Sequence, residues 1–180
     1  MELRPYYNGF CLKGEEELFR GVLVDSPFRV AGFSLGAQQL WEALRQWERV
    51  RTPRIEVVQL LSPAFFGRKL TPRWVETNLR GFREGKRGFV RYFLEKGGLS
   101  DWRYLDLSCR EEELERGFQF SWEPIPNLEG VRLEVYIGDR DPIIDWEGAL
   151  SFFSQIGEVY LVRGGDHFLR RNGVPFWEEG

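Results

Sequence analysis

Three short motifs carry the residue types that could do chemistry, and they lie far apart in the chain. The first is Gly32-Phe33-Ser34-Leu35-Gly36, a G-x-S-x-G pattern. A serine on a sharp strand-to-helix turn exposes its hydroxyl, and the flanking glycines allow a backbone that a β-carbon would block. The letters alone are weak in a chain with 20 Gly. Their setting is informative, because an apolar run precedes them and an amphipathic stretch follows.

A serine hydroxyl is a poor nucleophile until a base takes its proton. His167 is the single histidine, so it is the candidate base. It stands in Gly164-Gly165-Asp166-His167-Phe168, where the glycine pair suits a loop that returns the ring over a sheet. A third group must hold the imidazole in one tautomer and stabilise its charged form. Gly138-Asp139-Arg140-Asp141-Pro142-Ile143 supplies two candidates. Asp141 is the better one, since the longer excursion gives reach toward His167. Asp139 is the runner-up and is expected to hold the turn by an Asx-type hydrogen bond; Asp145 is a weaker third. The negative charge that develops on an attacked carbonyl needs two backbone donors. Leu35 N–H, directly after the serine at a helix start, is the first. The second is expected from the loop Asn8-Gly9-Phe10-Cys11, at Phe10 N–H. Cys11 has no second histidine to activate it and is not expected to be a nucleophile.

Elements of matching type must position these groups. Leu3 to Tyr7 reads as a first strand and Lys13 to Phe19 as a short helix rich in Glu at its start. Phe28 to Phe33 reads as a second strand running straight into Ser34. From Leu35 to Val50 the positions Leu40, Trp41, Ala43, Leu44 and Trp47 recur at helical spacing. Ile55 to Leu61 is nearly continuously apolar, as a strand buried on both faces should be. Val131 to Ile137, Trp146 to Ser154 and Glu158 to Val162 continue as strand, helix and strand. Residues 64 to about 125 break the alternation and read as a helical insertion, with Val75, Leu79 and Phe82 on one face and Phe89, Val90, Phe93 and Leu94 on another. A third helix is expected near Glu111 to Phe118. The order implies an α/β fold with a mostly parallel sheet of about five strands. The expected division is a core of 1–66 and 124–180, with 67–123 as a helical cap, in one domain overall.

Composition narrows the partners. The chain has 180 residues and a net charge of −3, which argues against a general nucleic-acid binder. No run is long and apolar enough to span a membrane, and Met1-Glu2-Leu3-Arg4-Pro5 lacks the layout of a signal peptide. Cys11 and Cys109, the only cysteines, have no metal-like spacing and are expected as free thiols in a reducing cytoplasm. One His excludes any site with two imidazole ligands. The segment Arg68 to Lys96 carries +6 and the remainder −9. Such a patch on an acidic protein suggests an anionic partner, although a solvated helical face would show the same charges.

Together these motifs resemble the α/β-hydrolase superfamily, in which Ser, acid and His follow in this chain order. Within it the compact layout is similar to the BioV-type pimeloyl-acyl-carrier-protein methyl ester esterases. The resemblance runs from Tyr6-Tyr7-Asn8-Gly9-Phe10 through Val30–Ala37 and Leu60-Leu61-Ser62-Pro63-Ala64 to Leu133–Gly138 with Asp141, and ends at Asp166-His167-Phe168-Leu169. The chain departs from the superfamily in having only one strand before the nucleophile strand. Many members also have His where Asn8 stands and Gly where Cys11 stands. The resemblance implies a compact α/β-hydrolase fold and hydrolysis of the methyl ester on a pimeloyl chain, with Ser34, Asp141 and His167 as the triad and no metal or redox cofactor. It implies a monomer in the cytoplasm whose partner is acyl-carrier protein bearing methyl pimeloyl, with no nucleic acid and no membrane. Apolar cap residues such as Trp74, Phe82, Phe89 and Phe93 would line an acyl tunnel. Arg80, Arg83, Lys86, Arg87 and Arg91 would meet the phosphopantetheine phosphate and the acidic carrier. Other readings remain: a carrier-protein thioesterase, a small-ester carboxylesterase, or a non-catalytic binding protein of the same fold.

Overall fold

A computed structural model describes residues 3–50, 54–126 and 128–178. Met1 and Glu2, part of the leader reading, lie outside the described residues. Five parallel strands form one sheet in chain order: β1 (Tyr6–Tyr7), β2 (Arg29–Phe33), β3 (Val57–Leu61), β4 (Arg132–Gly138) and β5 (Glu158–Val162). Helix α1 (Leu35–Val50) joins β2 to β3, and α5 (Trp146–Phe153) joins β4 to β5. Between β3 and β4 stand three inserted helices, α2 (Pro72–Glu84), α3 (Lys86–Gly97) and α4 (Glu111–Gln119).

Parallel strands need both faces covered, and the alternation along each strand divides the core in two. Tyr7, Val30, Val58, Leu60, Val135 and Ile137 face α1 and α5, where Trp41, Leu44 and Phe153 are fully buried. Tyr6, Ala31, Phe33, Leu61, Tyr136 and Val162 face the other way, onto Phe19, Phe168 and the inserted helices. Thr71 caps α2 by accepting from Trp74 N–H, and Pro72 occupies the first turn, where its missing N–H costs nothing. The insertion is therefore a packed layer over one sheet face, set close to the ends of the strands.

Three expectations need correction. The first strand is confined to Tyr6–Tyr7, and the helix expected from Lys13 is a 3₁₀ turn over Glu15–Phe19. A terminal hairpin, β6 (Arg170–Arg171) with β7 (Val174–Pro175), had no counterpart in the sequence reading, because strands of two residues show no periodicity. The cysteines are not free thiols. Cys11 and Cys109 form a disulfide across 98 residues, with their Cα atoms 5.1 Å apart. The loop after β1 lies along the segment before α4: Lys13 N–H donates to Tyr104 C=O at 2.8 Å, and Asp106 N–H to Cys11 C=O at 2.8 Å. That long-range pairing brings the two sulfurs together, and no local spacing could announce it. The thiol argument for a reducing compartment falls with it. Among the described residues no helix is long and apolar enough to cross a membrane.

Candidate active site

In parallel sheets the carboxyl ends of the strands present the loops that carry chemistry. Here those ends present Asn8–Phe10 after β1, Ser34 after β2, Ser62 after β3, Asp139–Asp141 after β4 and His167 after β5. Ser34 has φ of 55°, a left-handed conformation that is costly for a residue with a β-carbon. The turn holds because its backbone is tied to β3: Ser34 N–H donates to Leu61 C=O at 3.0 Å, and Ser34 C=O accepts from Ala64 N–H at 3.1 Å. Gly36 is required by contact. A β-carbon there would overlap the carbonyl oxygens of Tyr7 and Asn8, so only glycine lets α1 start against the end of β1.

The three distant motifs meet in one hydrogen-bonded line. His167 Nε2 lies 3.0 Å from Ser34 Oγ, and His167 Nδ1 lies 2.7 Å from Asp141 Oδ2. Asp141 Oδ1 accepts Ile143 N–H at 2.8 Å and Ile144 N–H at 3.3 Å, which fixes the carboxylate. Ser34, Asp141 and His167 are 4%, 4% and 1% exposed, so the line is shielded from bulk water. With Nδ1–H donating to Asp141, Nε2 is the acceptor for the serine O–H. Asp139 is not part of the line. Its Oδ1 accepts Gly164 N–H at 2.6 Å, a long-range tie between the acid loop and the histidine loop, not the local Asx turn expected of it. Asp145 caps α5 through Gly148 N–H and pairs with Arg68. Burial works to raise the Asp145 carboxyl, but the Arg68 hydrogen bonds win and hold it below its ordinary range.

Two groups that support the histidine escaped the sequence reading. Ser62 Oγ–H donates to His167 C=O at 2.6 Å, and His167 N–H donates to Gly97 C=O, at the end of α3, at 3.0 Å. Ser62 has φ of 43°; its place directly after an apolar strand was the one available signal. Gly97 belongs to the insertion, so the inserted helices hold the histidine loop as well as covering the sheet. Phe33 packs on the imidazole with centroids 5.0 Å apart.

Phe10 and Leu35 are both buried at the neighbouring end of the sheet. Among the described residues neither backbone N–H donates to a protein acceptor. A cleft of about 660 Å³ runs beside them, lined also by Asn8, Gln38, Arg116 and Phe120. Gln38 Nε2 spans from α1 to the insertion, donating to Ala64 C=O at 2.8 Å and to Gly117 C=O at 3.0 Å.

The basic residues are dispersed around the turn from α2 to α3. Arg80, Arg83, Arg87 and Arg91 are exposed, while Lys86 is half-buried with its ammonium 5.6 Å from the Phe82 ring centre. Arg83 pairs with Glu111, and Arg91 stacks over Trp102 at 4.6 Å. Among the described residues no group of three or more His, Cys, Asp or Glu is arranged to hold a metal ion.

No protein-family model and no curated protein sequence matches the chain. Solved structures do. The esterase EaEST from Exiguobacterium antarcticum superposes with a TM-score of 0.58 at 16% identity, over 78% of this chain and 60% of that one. This is the α/β-hydrolase fold. Est816, described as an N-acyl homoserine lactone degrading enzyme, matches with a TM-score of 0.56 at 13% identity, over 91% of this chain and 85% of that one. RedJ matches at 0.54 and 18% identity, over 78% of this chain and 56% of that one. The chain therefore spans little more than half the length of two of these three structures, and the likeness is one of fold.

Proposed function

We propose that the chain is a serine hydrolase of carboxylic esters, carried by one observation: the buried line Asp141–His167–Ser34 at 2.7 and 3.0 Å. His167 Nε2 takes the Ser34 proton as Oγ attacks the ester carbonyl. The carbonyl oxygen gains charge and receives the Phe10 and Leu35 N–H groups, an interaction stronger in the transition state than in the ground state. His167 then returns the proton to the departing alkoxide, releasing the alcohol. A water activated by the same nitrogen clears the acyl-enzyme. Asp141 stays ionised throughout and stabilises the imidazolium. EaEST, which shares the fold, is described as an esterase.

Within that class we propose the methyl ester of pimeloyl-acyl-carrier protein as substrate, acted on by a monomer. The resemblance of the motifs and the +6 segment support this reading. Exposed Arg80, Arg87 and Arg91 on α2 and α3, with Tyr92 67% exposed among them, offer positive charge and a flat aromatic surface to an acidic carrier. The test is mass spectrometry of the carrier-bound methyl ester after exposure to the protein. Loss of one CH₂ (methyl exchanged for hydrogen) is expected. Loss of the whole acyl arm would make the chain a thioesterase, and no change on the carrier with cleavage of short aryl esters would make it a small-ester hydrolase. Ser34→Ala should abolish each of these activities and leave the fold intact. Labelling of a residue other than Ser34 by a serine-directed phosphonate would overturn the nucleophile.

A further inference from the structure

One buried group is unused by the chemistry above. Glu15, in the 3₁₀ turn after β1, is fully buried. Its Oε1 accepts the Gly9 N–H at 2.7 Å and the Tyr6 O–H at 3.1 Å. Its Oε2 is the one buried side-chain oxygen or nitrogen among the described residues without a hydrogen-bond partner. Burial pushes this carboxyl up to about 7, against the pull of the Gly9 N–H in the other direction. Hiding a carboxyl so incompletely partnered is costly, and aliphatic packing would fill the space more cheaply.

The geometry shows what that cost obtains. The Phe10 N–H belongs to the Gly9–Phe10 peptide, whose carbonyl accepts from Leu12 N–H at 3.2 Å. A planar trans peptide points its C=O and N–H in opposite directions, so that bond turns the Phe10 N–H away from Leu12. The preceding peptide, Asn8–Gly9, is held by Glu15. Two successive peptide planes are thus pinned, one by the turn and one by the buried carboxyl. The loop cannot shift sideways either. Gly9 lies so close to the Phe33 ring that an added β-carbon would sit 2.6 Å from it, and Phe33 is the neighbour of Ser34.

We infer that Glu15 is a positioning residue for the oxyanion hole, holding the Gly9 amide so that the Phe10 N–H stays aimed at the oxygen that gains charge. The assignment rests on the serine-hydrolase reading. Its test uses two variants that separate reach from charge. Glu15→Gln keeps an oxygen at the Gly9 N–H without the charge; Glu15→Asp keeps the charge but draws the carboxyl back by one methylene. On a short-chain p-nitrophenyl ester, Glu15→Asp should lower kcat on the order of 100-fold, the usual cost of one oxyanion donor. Its KM should stay within about 2-fold, because ground-state binding does not use the hole. Glu15→Gln should stay within about 5-fold of the parent. Affinity for a trifluoromethyl ketone, which forms an oxyanion adduct at Ser34, should fall in parallel with kcat/KM across the variants. A role confined to packing would leave that correlation flat. Equal losses in both variants, a loss confined to KM, or undiminished kcat in Glu15→Asp would each overturn the assignment. If Glu15→Asp does not fold, Glu15→Ala replaces it and is read in the same way. A parent protein that neither cleaves the ester nor takes a phosphonate at Ser34 would overturn the hydrolase reading, and this assignment with it.

Discussion

The loops after β4 and β5 and the loop after β1 serve one site but are held by different means. The acid and histidine loops leave strands of seven and five residues, the first inside the sheet and the second at its opposite edge, where all five residues of β5 pair with β4. A few further bonds complete the anchoring: Ile143 N–H on Asp141 within the acid loop, and Gly164 N–H on Asp139 between the two loops. The β1 loop leaves an edge strand of two residues that pairs on one side only. So short a strand cannot fix a loop by itself. Its place is taken by the buried Glu15, six residues along the chain from Gly9, and by the Cys11–Cys109 disulfide and the Leu12–Leu105 bridge, which reach across the molecule. The comparison teaches that the acid and histidine loops start from longer paired strands, with Ser62 and Gly97 adding hold on His167, whereas the β1 loop depends on contacts outside its own strand.

The largest expected effect tests the well-anchored half. Asp141→Asn should lower kcat on the order of 10⁴-fold while the protein still melts cooperatively, because the asparagine favours the wrong imidazole tautomer. Asp139→Asn should cost far less. The reverse order would hand the acid's role to Asp139 and undo the geometry argued above.

The next effect tests the tertiary half. Reduction of Cys11–Cys109, or Cys109→Ser, opens a loop of 98 residues. Chain entropy sets an upper figure of about 4–5 kcal/mol for such a closure, so thermal melts should shift down by several degrees or more. Acylation at Ser34 should slow as well. If reduction leaves both melting and rate unchanged, the disulfide is not one of the contacts that hold the loop.

Glu15 gives the same half a pH dependence of stability. Its carboxyl titrates at about 7 in the folded chain against an ordinary 4.5. The folded state therefore binds the proton more tightly than the unfolded one. Its contribution is full below about 4.5 and is lost as pH rises through about 7, by on the order of 3 kcal/mol at most. Tyr6 and Glu16 are the ionisable groups that act on it. Tyr6 is held well above its usual range, first by burial and then by Glu15 itself. Denaturant titrations from pH 4.5 to 8 should show this slope in the parent and lose it in Glu15→Gln. An unchanged slope would assign it to another group.

The smallest effect concerns the surface, which neither anchoring device touches. Arg80→Glu with Arg87→Glu should lower efficiency on a carrier-bound ester by about 10-fold, or ~1.4 kcal/mol, and more steeply at low salt. Efficiency on a short aryl ester should hardly change. Arg83 is the wrong choice for this test, since Arg83→Glu would face Glu111. Equal responses on both substrates would leave the patch as a solvated face.

The motifs and the elements around them were legible for a physical reason. A buried parallel strand writes itself as a continuous apolar run, and α1 as a helical stripe, because burial acts on every residue in them. Ser34 and Asp141 follow such buried runs, while His167 follows the mostly exposed edge strand β5, so its position at the same end of the sheet came from chain order. What local pattern could not encode was pairing at a distance. Nothing near Cys11 names Cys109, and nothing near Glu15 distinguishes it from the half-buried Glu16 and the exposed Glu17 of the same acidic turn. Ser62 reaching the His167 carbonyl and Gly97 of α3 receiving the His167 N–H are likewise contacts between segments that only packing brings together. The sequence by itself determined the candidate serine and histidine and the strand ends that present them, while the tertiary structure set Asp141 rather than Asp139 against His167. The tertiary structure alone decided how the β1 loop is held, because its strand is too short to do so and the fixing groups come from residues 15, 105 and 109.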